Sequence, residues 1–290
     1  MREKMRNIRA RESGFKKDRR AISPAISTVI LTCAIVVLLL VTVSFANSFL
    51  TERIAENEFS AMMQFMQTVG LQVDDVAWTI GRTQTTRYAS QFGRLNFEST
   101  ALNYTVYVDK GEGYINLAQN WTGILLFNMP ISKYSVTNNY HERLFPNSDN
   151  SFLQKGTSAP VNHVYVIEKM PMNDGDFIRV VVAPSIRTLN STISTGAETK
   201  NYFKFYLPYL KSGTHPHRSQ SVTLTGNSVS VEKADNVNKI KIHVSFLKSS
   251  LGFSEDFFNF ESIVEEIDVP DGSIVEFYVG EVSVSLGLHV

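Results

Sequence analysis

The sequence predicts an α+β chain in which one long apolar helix near the N-terminus precedes an antiparallel β-sandwich-like head domain. Three observations carry that prediction. No charged residue occurs from Ala25 to Leu50. Beyond it, apolar residues recur at alternating spacings of four and three, the period of one helix face. From about Phe92 onward the texture changes to short runs of Val, Ile, Tyr, Phe and Thr separated by Gly, Pro, Asn and Asp, the pattern of a sheet without intervening helices.

The first element is the uncharged run. Its 26 positions make a helix of about 39 Å at 1.5 Å per residue, enough to cross a hydrocarbon core of about 30 Å with some tilt. Ile30, Leu31, Ile35 to Val41 and Val43 supply apolar surface, and Ser27, Thr28, Thr32, Thr42 and Ser44 can return their hydroxyls to the helix's own carbonyls. No second apolar run approaches this length. Residues 1–20 carry nine Lys or Arg against three Asp or Glu, so the remainder holds 19 basic and 25 acidic of the 28 of each. The formal zero is a basic leader plus an acidic body. Basic residues beside a membrane segment stay on the cytoplasmic side, so a single-pass topology is expected, with the N-terminus inside and the chain beyond Leu50 outside.

The junction into this segment reads Arg19-Arg20-Ala21-Ile22-Ser23-Pro24. Proline suits the first turn of a helix and Ser23 can cap it, so Ser23 and Pro24 are expected to mark the helix start. A secretory signal could end at Ser44-Phe45-Ala46, but its apolar region would be nearly twice the usual length of roughly 7 to 15 residues. A plain uncleaved anchor explains the length and the charges, and leaves Ser23-Pro24 without a purpose.

Residues 19–31, Arg-Arg-Ala-Ile-Ser-Pro-Ala-Ile-Ser-Thr-Val-Ile-Leu, resemble the N-terminal motif of archaeal type IV pilins. The resemblance covers roughly residues 16–50. It implies a class III leader over 1–21, cut by a prepilin peptidase between Ala21 and Ile22, with Arg19 and Arg20 as recognition residues. It also implies a retained transmembrane and filament-core helix over 22–50, polymerisation through that helix with other copies of the chain, and an assembly ATPase and membrane platform protein as partners. Bacterial relatives place a glutamate five residues into the mature chain where this sequence has Ile26, a departure that speaks against the bacterial branch. The mature product would have 290 less 21, or 269, residues, which is large for a major pilin.

A helix continuation is expected over 51–81, with Ala55, Phe59, Met62, Met66, Val69, Val73, Val76 and Ile80 as its apolar stripe and Gly70 or Gly81 as the stop or hinge. The stripe suits a helix lying on its own head or a seam between subunits. The pilin resemblance implies both uses, the first half bundled with other copies and the second packed on the head.

The head is expected over 92–290, with strands near 94–97, 104–109, 123–127, 163–169, 177–183, 202–206, 221–224, 228–232, 239–246, 263–269 and 274–286, and a hairpin turn at Pro270-Asp271-Gly272. The stretch 131–161 reads as an exposed excursion from one domain. Cys33 is the single cysteine, so no intrachain disulfide is available and the head must rely on burial and strand pairing.

Three triplets match the N-glycosylation pattern, at Asn103, Asn120 and Asn190. The usual catalytic, phosphate-binding, dinucleotide and metal-binding patterns are missing. His215-Pro216-His217 reads as a solvated turn and Asp174-Gly175-Asp176 as a turn fragment, so neither metal nor cofactor is expected. An acidic body argues against nonspecific nucleic-acid binding. The expectation is a non-enzymatic filament subunit; the alternative is a membrane-anchored extracellular receptor or sensor that does not polymerise.

Overall fold

The computed structural model describes residues 19–137, 139–146, 150–168, 176–195 and 198–287, with backbone alone for 19–25, 195 and 198. It contains one long N-terminal apolar helix followed by a large, mostly stranded domain. The helix, α1, spans Arg19–Ala77. Contacts divide the chain into a unit ending at Thr51 and a second unit from Glu52 onward.

The second unit holds the rest of α1 and eleven strands: β1 Thr83–Arg87, β2 Arg94–Asp109, β3 Tyr114–Pro130, β4 His141–Phe145, β5 Leu153–Lys155, β6 Asn162–Glu168, β7 Phe177–Pro184, β8 Ile186–Thr195, β9 Glu198–Ser212, β10 Ser221–Phe246 and β11 Val264–Leu286. They form one sheet in the order β4-β6-β7-β3-β2-β10-β11-β9-β8-β5, with β1 on the edge of β10. The sheet is mixed. β9 runs parallel to β11 and β5 parallel to β8, while the other pairings among the described strands are antiparallel.

This corrects the purely antiparallel expectation, and the topology supplies the reason. β11 inserts between β9 and β10, whose connection crosses the end of β11 through Leu286 N–H to the Thr214 carbonyl (3.0 Å) and His217 N–H to the Leu286 carbonyl (3.2 Å). A strand placed between two antiparallel neighbours must run parallel to one of them.

Alternation along the strands builds two cores. On one face, Leu125, Phe127 and Met129 of β3, Val164 and Val166 of β6, Val180 and Val182 of β7, and Val282, Val284 and Leu286 of β11 meet the helix stripe. On the other, Tyr104, Val106, Ile124, Leu126, Tyr165, Val181, Phe205, Ile242 and Phe277 form a second core, closed by Phe253, Phe257, Phe258 and Phe260. The last four come from the β10–β11 connection, where the short helix α2 Glu255–Phe258 turns its two phenylalanines inward. The sheet bends back so that β3 meets β9, with Leu210 N–H donating to Thr122 Oγ1 at 2.9 Å. Central strands buried on both faces read as near-continuous apolar runs.

The helix stripe is as the spacing predicts from Ala55 to Val76, each residue at most 2% accessible; Ile80 lies beyond the helix and is 67% accessible. Gly70 does not stop α1: its carbonyl accepts from Asn162 Nδ2 (3.0 Å), and a Cβ there would stand 3.0 Å from Val164. The chain turns at Gly81, whose φ is +80°.

Several strand boundaries merge. The segments expected at 94–97 and 104–109 are one strand, β2, and those at 221–224, 228–232 and 239–246 are one strand, β10. Pro270-Asp271-Gly272 is not a hairpin turn. It bulges within β11, since Asp268 pairs with Lys239 and Ser273 with Val237 in the same direction. Gly272 at φ +79° and Ser273 Oγ donating to the Pro270 carbonyl hold the bulge. The stretch 131–161 is less of an excursion than its composition suggests, because β4 and β5 join the sheet and Phe152 and Leu153 are buried.

Gly226 and Gly280 set how closely the helix end approaches the sheet. A Cβ at Gly226 would stand 2.5 Å from the Val76 carbonyl oxygen, and one at Gly280 would stand 2.4 Å from that of Ala77. Backbone on both sides leaves no side chain to move aside. Gly280→Ala is expected to destabilise the head by about 1–3 kcal/mol, and Phe59→Ala by about 3–5 kcal/mol. Thermal unfolding of the variants, beside an exposed control such as Ser230→Ala, checks both.

Candidate functional site

The first half of α1 is the most unusual surface. Every residue from Ile26 to Leu50 is exposed, and Leu38 and Leu40 are each 65% accessible, Phe45 72%. An apolar surface of that extent needs a cover that is not water. The helix satisfies its own polar groups: Thr32 Oγ1 donates to the Thr28 carbonyl at 2.8 Å, Thr42 to Leu38 at 2.7 Å and Thr51 to Asn47 at 2.8 Å. These three hydroxyls need no polar partner outside the helix, and lipid or copies of the same helix would cover the apolar side chains around them. Among the described residues one helix is long and apolar enough to cross a membrane, with mean hydropathy 2.9 over its most apolar window. The Cys33 thiol is free and exposed on this segment.

At the junction the described helix already includes Arg19, Arg20, Ala21 and Ile22. In the described helix Ser23 and Pro24 follow these four residues. Proline has no N–H, so the Arg20 carbonyl loses its partner four residues on. Residues 1–18 of the expected leader lie outside the described residues.

The second half of α1 is tied down by two acids. Glu58 sits in a nest of donors: Ser90 Oγ (2.5 Å) and the backbone N–H groups of Gln91 (2.8 Å), Phe92 (3.1 Å) and Gly93 (3.0 Å) converge on its carboxylate. Partial burial raises its pKa, and the hydrogen bonds from Ser90, Gln91, Gly93 and Phe92 together outweigh this, leaving it below the usual glutamate value. Asp74 accepts from Trp78 Nε1 (2.7 Å) and from Arg187 (3.1 Å), whose guanidinium lies over Tyr206. Trp78 meets the same ring edge-on. Neither acid carries a sequence signal beyond lying off the apolar stripe.

The three glycosylation triplets fall in different environments. Asn103 is buried in β2, 4% accessible, and donates to Ser245 Oγ at 3.1 Å. Asn120 is half-buried in β3, and Asn190 is exposed on β8. Only the last presents its amide freely.

His215 uses both ring nitrogens, accepting from Leu286 N–H at Nδ1 (3.2 Å) and meeting Ser212 Oγ at Nε2 (2.9 Å). It fastens the β9–β10 connection. Asp174 and Gly175 lie outside the described residues. No group of three or more His, Cys, Asp or Glu side chains arranged to hold a metal ion occurs among the described residues.

A buried polar set escaped sequence reading. Arg143 Nη1 lies 2.5 Å from Nδ1 of the fully buried His163, and His141 stacks on Tyr165 with centroids 5.1 Å apart. A guanidinium can only donate, so His163 must accept and be neutral. Burial and, secondarily, the Arg143 charge hold the pKa of His163 well below its usual value and lower that of His141 to about 4.

Comparison with protein families, curated proteins and solved structures finds no match to this chain.

Both histidines are neutral in the fold and bind protons more readily when unfolded, so the stability they contribute is present above about pH 6.5 and declines as pH falls toward 4. Glu58, with its pKa lowered, adds a separate loss only at lower pH, below its unfolded value of about 4.3. Melting temperatures at closely spaced pH values are expected to fall as pH drops below about 6.5, with Glu58→Gln reducing the part of the fall that lies below about pH 4.3.

Proposed function

We propose that the chain is a pilin-like structural subunit of an archaeal type IV pilus-like surface filament, and not an enzyme. It is made as a precursor with its N-terminus in the cytoplasm, cleaved by prepilin peptidase between Ala21 and Ile22, and polymerised through its apolar helix, with an assembly ATPase and a membrane platform protein driving extraction from the bilayer.

The observation that carries this reading is the uncovered apolar helix surface from Ile26 to Leu50, following a basic pair and a small residue at 19–21. Pro24 supports it. In the uncut chain it lies inside a helix that includes Arg19, where its missing N–H leaves one carbonyl without its intrahelical bond. After cleavage it becomes the third residue, in a first turn where no intrahelical N–H bond is formed in any case. Trimming thus removes both the basic charge and a helix defect. In the bilayer the hydrophobic effect does not favour association, so close packing between helices must decide assembly.

The rival reading, an anchored receptor that keeps its leader, predicts a different N-terminus. N-terminal sequencing of the membrane-bound product is expected to begin at Ile22; a start at Met1 would overturn the proposal. Arg20→Glu is expected to leave a slower-migrating precursor in the membrane, visible by immunoblot. Of the three triplets, glycan is expected at Asn190 and not at Asn103, read by mass spectrometry of tryptic peptides.

A further inference from the structure

We propose that the exposed face of α1 from Ile54 to Leu71 seats a second copy of the chain, which lays the apolar half of its own α1, residues 22–50, along it. The inference rests on the filament reading of that apolar half and adds where the half goes.

The face follows the helix period. Ile54, Asn57, Ala61, Gln64, Thr68 and Leu71 recur at spacings of three and four, all are exposed, and they lie across the helix from the buried stripe that meets the sheet. Ile54 is 47% and Leu71 56% accessible. The water side of a surface helix ordinarily carries charge. Here no side of α1 carries any for fifteen residues, Phe59 to Val73, and the charges of this half collect at its two ends, from Glu52 to Glu58 and at Asp74 and Asp75.

The chemistry of the face continues that of the apolar half. Thr68 Oγ1 donates to the Gln64 carbonyl at 3.0 Å, as Thr32, Thr42 and Thr51 do to carbonyls four residues back. Ser60 and Ala61 are small enough to let a second helix come close. The side-chain amides of Asn57 and Gln64 make no hydrogen bond among the described residues, so they are available to bond across to a neighbour.

Charge fixes the register. The turn before the face holds two carboxylates, Glu52 and Glu56, against one guanidinium, Arg53, whose Nη1 is 2.6 Å from Glu56. Glu52 is exposed and makes no ion pair or hydrogen bond among the described residues. Trimming creates an ammonium at Ile22, on a helix with no other charge before Glu52. An ammonium enclosed by packed helices needs a counter-charge. Beside Glu52 of another copy it has one, and its apolar residues then begin where the charged turn ends. The stagger is 52 less 22, or 30, residues, about 45 Å at 1.5 Å per residue. Ser27 of the incoming helix then stands level with Asn57, and Val41 with Leu71. The giving and receiving surfaces differ, so the contact repeats into an open polymer and does not close on a dimer.

The test uses the full-length chain and its purified surface filaments. With p-benzoylphenylalanine in place of Leu71, ultraviolet light is expected to join two chains, the adduct mapping by mass spectrometry within about one turn of Val41 of the other copy. The same group in place of Ser230, exposed on β10, is expected to give no adduct to residues 22–50. Gln64→Lys is expected to lower the number of filaments seen by electron microscopy about tenfold or more, with the melting temperature and the Ile22 N-terminus unchanged, while the uncharged Gln64→Met assembles as wild type does. Filaments of Ile22-initiated chain in which Gln64→Lys assembles equally well, or in which the probe at position 71 gives no adduct or one outside residues 22–50, overturn this docking and leave the filament reading standing. A wild-type chain that keeps its leader or forms no filament overturns both.

Discussion

The head depends on one contact: the stripe from Ala55 to Ala77 laid against one face of the sheet. It fills a core that the strands cannot close alone, since β3, β6 and β7 are apolar on both sides and their second side needs a cover. The requirement reaches into the sheet itself. Gly226 and Gly280 give up side chains where the helix end passes, and Gly70 does the same where Val164 presses on the helix. Glu58 and Asp74 then fix the helix by hydrogen bonds that only one axial placement satisfies.

Much of the helix was legible because period and charge are local properties. The stripe through Val76 and the uncharged run could be read one residue at a time, and both stand in the structure. The sheet was legible in its strand positions and not in its order. Pro270-Asp271-Gly272 has the chemistry of a turn, and only the pairing of β10 on both sides of it reveals a bulge. The parallel β9–β11 pair follows from an insertion that no local pattern encodes. The excursion at 131–161 looked polar because its composition averages over the buried Phe152 and Leu153; Phe152 packs against the rings of Tyr104 and Phe260, which are distant in sequence. The glycosylation triplets show the same limit: three identical patterns occupy a buried, a half-buried and an exposed position, according to each strand's neighbours.

The two halves of α1 answer to different solvents. From Glu52 onward a narrow stripe is apolar and the flanks carry charge, which suits a helix with a core on one side and water on the other. Before Thr51 the apolar surface runs all round and hydroxyls bond back to the helix, which suits surroundings with no water at all. The change falls where the contact density of the chain also divides. A bilayer meets that demand, and so would close packing against other apolar helices.

The placement of β11 has a temporal consequence. It is the latest of the described strands to be synthesised, yet it sits mid-sheet and holds β10 on one side and β9 on the other. Ribosomes deliver the chain from its beginning, so β1 to β10 must wait, unpaired along their central seam, until residues near Leu286 emerge. A product that ends between β10 and Val264 keeps the apolar helix and lacks the strand that joins β9 to β10. Such a fragment leaves the facing edges of β9 and β10 unpaired.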